Sequence, residues 1–296
     1  MSRLTTERAY AKINVCLFLG PTRADGRHEL LTLFDSVSLA DDLEVFSAPT
    51  GDADEVVCAG VDGPNLAGDA LRALRAAGWA APAVRVAIDK RIPVAAGMGG
   101  GSADAAAVLR VAPRLAPVAD DVLVTIAAGL GADVPGQLHP GPSIGTGAGE
   151  MLQPLPPLAP YGVLVIPQPF ALSTAAVYRE ADRLGLAREA RELERLHQRL
   201  VAAVPGPLPG ELFVNDLQPA SLSLAPAVGQ ALSAAGQAGA DHALVCGSGP
   251  TVIGLFLGSD GPRRAAGAAR ALTATFPGAL AAAPVARGVA GVTPNK

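Results

Sequence analysis

Hydrophobic and polar residues alternate along "YAKINVCLFLG" (10–20). This period of two predicts a strand with Ile13, Val15, Leu17 and Leu19 on one face and Lys12, Asn14, Cys16 and Phe18 on the other. A turn-rich "PTRADGRHEL" and the apolar run "LLTLFDSVSL" come next. "DDLEVF" (41–46) and "AVRVAIDK" (83–90) predict further strands. Between them, "PNLAGDALRALRAAG" (64–78) changes to helical spacing, with Leu66, Ala70, Leu71 and Leu74 on one side and Gly78 as its end.

The stretch "MLQPLPPLAP" (151–160) carries Pro154, Pro156, Pro157 and Pro160, which suit neither a helix nor a central strand. It predicts a junction between domains at 1–152 and 161–296. Beyond it the pattern predicts a strand at 161–166, a helical region rich in Arg and Glu near 173–203, and a helix near 224–237. "HALVCGSGPTVIGLFL" (242–257) reads as strand, glycine turn, strand, and an alanine-rich helix follows at 263–275. Strands and helices mix without strict alternation, so the expected class is α+β.

The densest local signal is "IPVAAGMGGGSADAAAVL" (92–109), with four glycines among positions 97–101. Pro93 ends the strand before it, and the alanines from Ala103 onward predict a helix stopped near Pro113. Ser102 suits the helix N-cap, and Asp104 suits the positive end of the helix dipole. Strand, glycine loop and helix start together predict a cradle of backbone N–H groups for phosphate, although a plain flexible turn has the same composition. The G-x-x-x-x-G-K-S/T loop is absent, and counting G-x-G-x-x-G from Gly97 puts Ser102 at the third glycine.

Composition narrows the function. The chain has 296 residues, half of them hydrophobic, 17% charged and only 4% aromatic, with net charge −4. That predicts an aliphatic core and gives no electrostatic pull toward nucleic acid or an acidic membrane. Cys16, Cys58 and Cys246 are sparse and odd in number, which suits a reducing compartment. Residues 1–15 lack an apolar signal core, and no run approaches the ~20 apolar residues of a membrane helix, so the expected location is cytoplasmic. His28, His139, His197 and His242 are scattered, and no metal-ligand cluster is expected.

"PVAAGMGGGSADAAAVL" resembles the phosphate-binding motif of the GHMP kinases, which include galactokinase, homoserine kinase, mevalonate kinase and phosphomevalonate kinase. "AKINVCLFLGPTRADGRHELLTLFDSV", "GADVP" (131–135), "ALSTAAVY" (171–178), "NDLQPAS" (215–221) and "CGSGPTVIGLF" (246–256) resemble further family motifs in the expected order. The resemblance implies a two-domain α+β kinase with its active site in the cleft between domains. It also implies ATP with Mg²⁺ held mainly by phosphates, and a small-molecule alcohol as acceptor. Among family members the motifs look most like those acting on the 4-diphosphocytidyl ester of methylerythritol in non-mevalonate isoprenoid synthesis, with the 4-hydroxyl as acceptor. Neither nucleic acid nor membrane is expected as a partner, and the chain is expected to be a monomer or weak homodimer.

The resemblance also distributes roles. Lys12 matches the catalytic lysine, and Asp133 matches the base for the acceptor hydroxyl. Taken alone, Lys12 reads as a solvated strand lysine and Asp133 as a turn or capping residue. Pro93, Val94, Ala95, Ala96, Gly97, Met98, Gly99, Gly100, Gly101, Ser102 and Ala103 match the ATP loop, with Asn65 and Lys90 near the adenosine. Ala103 departs from a frequent second serine there. Asn14 matches a substrate contact, Thr174 lies where the substrate diphosphate is bound, and Gly247, Ser248 and Gly249 close over the site. For the cytosine, Phe34 matches one stacking ring and His28 the residue that bonds the base edge. Arg27 stands where a second aromatic is expected, and its guanidinium plane can stack on a base. The rivals are a different GHMP kinase, or a ligand sensor that keeps the fold without turnover; Lys12 and Asp133 together argue against the sensor.

Overall fold

The computed structural model describes residues 2–49, 53–61 and 65–285. In chain order the elements are β1 (Arg3–Thr22), β2 (His28–Ser47), β3 (Glu55–Cys58), α1 (Leu66–Ala76), β4 (Val84–Asp89), α2 (Gly100–Leu115), α3 (Asp120–Leu130), α4 (Val134–Leu138), β5 (Ser143–Thr146) and β6 (Met151–Pro154). The second half adds β7 (Tyr161–Ile166), α5 (Thr174–Leu184), α6 (Ala190–Ala203), α7 (Gln218–Leu224), α8 (Val228–Gln237), β8 (His242–Val245), β9 (Val252–Leu257), α9 (Gly261–Leu272) and β10 (Leu280–Ala282). The fold is α+β, as expected.

The first sheet is built on one hairpin. β1 and β2 pair antiparallel along their length, from Thr22 opposite His28 to Arg3 opposite Phe46. The turn between them centres on Asp25 and Gly26, whose positive φ is the conformation that an Asp-Gly pair supplies. β2 is therefore a single strand where the pattern predicted separate pieces, and β5 then β4 pair along its other edge. β3 lies outside β4, and β6 takes the far edge, the place in a sheet where prolines are tolerated. Helices α1 and α2 cover one face; α1 is N-capped by Asn65 and buries Ala67, Ala70, Leu71 and Leu74. The start expected at residue 64 lies outside the described residues.

β1 does not keep the alternation that its sequence suggests. A bulge between Asn14 and Cys16 puts Ile13, Val15, Cys16 and Phe18 into the main core. Leu17 and Leu19 join a smaller cluster with Leu30, Val177 and Ala181. One extra residue shifts the phase of everything after it. Leu17 thereby comes to share the face of Lys12 and Asn14, and its backbone bonds to Val214 and Asp216.

The second sheet runs β10–β7–β9–β8, antiparallel throughout. β7 is buried on both faces: Leu164 and Ile166 pack under α8 and α9, whereas Val163 and Val165 belong to the core shared with the first sheet. The helical region expected at 173–203 is two helices, because Gly185 at the α5 C-cap adopts the left-handed conformation. The final helix ends at Leu272 rather than 275.

A buried link joins the two sheets. Tyr161 donates to Asp35 Oδ2 at 2.7 Å, and burial pushes the Asp35 carboxyl up to about 7. The folded chain thus holds this proton across a range where the unfolded chain has released it. Stability from the group is complete below the ordinary carboxylate range and is lost as pH rises through about 7. The effect is on the order of a few kcal/mol. Calorimetric Tm is expected to fall between about pH 4 and about pH 7. The fall should shrink in Asp35→Asn, which keeps an acceptor for Tyr161; equal slopes in both proteins would remove Asp35 as the source.

Candidate active site

Burying an ammonium requires acceptors, and β1 provides them for Lys12. Lys12 Nζ donates to Asn14 Oδ1 at 2.8 Å, Asn14 Nδ2 donates to Thr32 Oγ1 at 2.8 Å, and Thr32 Oγ1 donates to the Cys16 carbonyl at 2.7 Å. Each donor direction is fixed by the next link, so the Asn14 amide has one orientation. Lys12 Nζ also lies 5.2 Å from the centroid of Phe34 and 3.9 Å from Asp133 Oδ2. Asp133 occupies the N-cap position of α4, yet its side chain accepts no capping bond. Its carboxylate is left for other chemistry, and at 39% exposure it is open to the cavity.

The glycine loop meets this strand directly: the Lys12 backbone N–H donates to the Met98 carbonyl at 3.0 Å. Gly97 and Gly99 both have positive φ, and Ala95 is the one non-glycine residue among those described that does. The α2 helix starts at Gly100 with Gly99 as N-cap and no side-chain capping bond. Ser102 is therefore inside the first turn rather than capping it, because the left-handed Gly99 begins the helix earlier. Asp104 also differs from expectation: it is buried beyond the first turn, and its Oδ2 accepts from Lys90 at 2.8 Å. Burial pushes the Asp104 carboxyl up to about 7. Burial pulls Lys90 down, but Asp104 and Asp41, which also accepts from Nζ, more than offset it and raise it. Pro113 does not stop α2, which continues to Leu115. Ala103 points into the core with no exposure, so the serine expected there has no phosphate to meet.

Two cavities share this loop. One, of about 380 Å³, is lined by 93–102 together with Asn65, Lys90, Asp104 and Cys58. The other, of about 310 Å³, is lined by Lys12, Asn14, Phe34, Asp133, Thr174 and Tyr178, and by Gly247 and Ser248 of the second glycine turn. They meet at Gly97, Gly99 and Ser102. A larger groove of about 780 Å³ crosses the first sheet, but its Arg8, Arg91, Asp42 and Asp89 already pair with one another.

The structure does not bring every expected residue to these cavities. Arg27 is exposed on the hairpin turn and pairs with Asp25, away from the cavity lining. His28 is buried, with Nδ1 3.1 Å from the Gly20 carbonyl and Nε2 3.0 Å from Asp182 Oδ1. Both ring nitrogens face protein acceptors, so the ring has no edge to offer a base. It packs instead against Tyr178, centroids 5.5 Å apart. Tyr178, from the other half of the chain, is the second aromatic ring in the lining of the Lys12 cavity, beside Phe34. The sequence held a signal for it, since Tyr178 follows Thr174 by four residues on one face of α5. Burial, aided by the Asp133 charge, pushes the Tyr178 hydroxyl up to about 12.

A GHMP kinases N-terminal domain model matches residues 65–141, and a GHMP kinases C-terminal model matches 184–278. The chain belongs to the GHMP kinase family. A 4-diphosphocytidyl-2-C-methyl-D-erythritol kinase of Salinispora tropica is 39% identical, covering 94% of this chain and 92% of the relative. The enzyme of that name from Streptomyces coelicolor is 42% identical over 86% and 88%. A crystal structure of 4-(cytidine 5'-diphospho)-2C-methyl-D-erythritol kinase superposes with TM-score 0.77 at 34% identity, over 97% of this chain and 100% of that one. A Leishmania major mevalonate kinase, 15% identical with TM-score 0.66, shares the fold.

In this GHMP kinase the two glycine turns touch. A Cβ at Gly97 would lie 2.5 Å from the Cys246 carbonyl oxygen and 3.1 Å from that of Gly249. The second turn is pinned in turn by Asn215, whose Nδ2 donates to the Val245 and Gly247 carbonyls, each at 2.7 Å. This gives "NDLQPAS" its purpose: Asn215 holds the turn, and Asp216 accepts from the Leu19 N–H and from Arg188. Left-handed strain costs ~1–2 kcal/mol for a non-glycine residue, and the carbonyl contact adds to it. Gly97→Ala is expected to lower Tm and to weaken ATP binding by about tenfold or more, read by calorimetry. Gly101→Ala meets only Leu66 Cδ1 at 3.7 Å and should leave Tm unchanged or higher. Equal behaviour of the two variants would mean that the turn-to-turn contact does not shape the cradle.

Proposed function

We propose that this GHMP kinase transfers the γ-phosphoryl group of ATP to a hydroxyl of 4-diphosphocytidyl-2-C-methyl-D-erythritol, a step of non-mevalonate isoprenoid biosynthesis. The observation that carries the reading is the position of Lys12 and Asp133. They line the acceptor cavity, which meets the glycine-loop cavity at Gly97, Gly99 and Ser102. Carbon 4 of that substrate already bears the diphosphocytidyl group. The acceptor is therefore one of the hydroxyls that the ester leaves free, not the 4-hydroxyl that the resemblance suggested.

Asp133 takes the proton of the acceptor hydroxyl as its oxygen bonds to phosphorus, and Lys12 balances the charge shared between acceptor and phosphoryl oxygens. The backbone N–H groups at the start of α2 hold the phosphates, with the helix dipole behind them. Among the described residues no group of three His, Cys, Asp or Glu is placed to hold a metal ion. Mg²⁺ would be bound mainly through the phosphates, whose charge it would neutralise. Thr174 and Ser248, whose hydroxyls lie 3.0 Å apart, face the substrate diphosphate. Tyr178 and Phe34 supply aromatic faces for the cytosine, and His28 holds Tyr178 in place. Asn65, Lys90 and Cys58 lie at the adenosine end of the loop cavity.

The domains implied are 1–152 and 161–296, and each family match falls within one of them; the end of the second lies outside the described residues. Cys16, Cys58 and Cys246 form no disulfide, and no helix among the described residues is long and apolar enough to cross a membrane. A cytoplasmic location fits both facts.

Purified protein should release ADP with the cytidine substrate and not with mevalonate or homoserine. General-base catalysis is worth ~10²–10⁴-fold, so Asp133→Asn should lower kcat within that range with ATP affinity unchanged. Lys12→Ala should cost at least as much. A loss below about tenfold in Asp133→Asn would return Asp133 to a turn role. Stacking on a base is worth ~1–3 kcal/mol. Tyr178→Ala should therefore raise KM for the cytidine substrate by about tenfold or more, with KM for ATP unchanged. Arg27→Ala should leave both constants alone; the reverse pattern would restore Arg27 as the stacking group.

A further inference from the structure

Gln137 of α4 has no role in the chemistry above, yet it is 3% exposed and neither its Oε1 nor its Nε2 has a hydrogen-bond partner within the protein. A buried polar group left unpaired costs ~1–3 kcal/mol. The residue is not loosely held: Arg110 donates to its main-chain carbonyl and is itself paired with the buried Glu7. Its amide lies beside the catalytic strand, since a Cβ built at Gly99 would be 3.7 Å from Gln137 Nε2 and 3.5 Å from Lys12 Cε.

Next to Gln137 is a chamber of about 20 Å³, lined also by Lys12, Phe34, Asp35 and Asp133. One water needs ~10–15 Å³ and two to four polar partners. Lys12 gives one N–H to Asn14, while Asp133 at 3.9 Å is an ion-pair partner beyond hydrogen-bond length. A water that donates to Gln137 Oε1 and to Asp133 would keep its oxygen free to accept from Lys12. The ammonium also argues against a metal cation in so small a space.

We propose that Gln137 holds one ordered water beside Lys12 and Asp133, and that through it Gln137 is a positioning residue for the Lys12 ammonium. The kinetic part rests on the kinase reading above; the water site does not.

The test pairs a high-resolution crystal structure of the unliganded full chain with the variants Gln137→Met, which keeps the shape without the amide, and Gln137→Asn, which keeps the amide. Density for one water within hydrogen-bond reach of Gln137 and Lys12 is expected in the wild type and not in Gln137→Met. A displaced ammonium should lower kcat about tenfold in Gln137→Met and shift its pH profile, with KM for ATP and acceptor within about twofold. Gln137→Asn should recover most of the rate. A wild-type chamber without that density overturns the proposal, and so does Gln137→Met with kcat within about twofold of wild type. If Gln137→Met does not fold, the wild-type density and the Gln137→Asn rate decide. If the wild type has no kinase activity, the functional reading fails while the density still decides the site.

Discussion

The site depends on keeping one ammonium largely out of water. Lys12 is 12% exposed, in a strand whose neighbours are apolar. Desolvating a charge is tolerated only where fixed acceptors replace the lost water. The relay from Lys12 through Asn14 and Thr32 to the Cys16 carbonyl is such a replacement. It ends at the bulge in β1, and this couples two features that look independent. The bulge frees the Leu17 backbone to pair with 214–216, so the Asn215–Asp216 pair reaches the catalytic strand.

From that coupling follows the placement of both glycine turns. Met98 is tied to the Lys12 backbone, and the 247–249 turn is tied to Asn215, itself beside Leu17. Each turn is thus indexed to the same few residues of β1. Their carbonyls approach so closely that a side chain at Gly97 would part them. Cys246 fills the remaining space; burial pushes its thiol up, so it packs as a neutral group between the Lys12 and Gly97 carbonyls.

The regular elements and the glycine cradle were legible in the sequence because they are local: period, glycine clusters and proline placement act over a few residues. Lys12 and Asp133 were legible only through the resemblance, since a strand lysine and a turn aspartate carry no signature of their own. What the chain hid is non-local. The bulge beside Val15 leaves the composition of β1 unchanged but reverses the faces of four residues. Ser102 looked like a cap because a left-handed glycine start is invisible in a run of glycines. Asp104 looked like a dipole partner because its ion pair with Lys90 spans 14 residues. His28 looked like a base reader because Asp182, which occupies its Nε2, lies in the other half of the chain.

The charge balance around the two cavities then decides what Lys12 must do alone. Among the described residues lining them, the cations are Lys12 and Lys90. Lys90 is locked between the buried carboxylates of Asp41 and Asp104, so its charge is already matched. It holds the base of the loop to α2 and has little left for a polyphosphate. The loop itself offers only N–H dipoles and the end of α2, which bind phosphate but carry no full charge. On the kinase reading proposed above, charge that moves toward the acceptor during transfer would be met by Lys12. No neighbouring side chain can take over, because beyond Lys12 and the paired Lys90 no cation among the described residues lines either cavity. On that reading Lys12 acts without a second free cationic side chain, and the bulge, the relay and the paired glycine turns all converge on it.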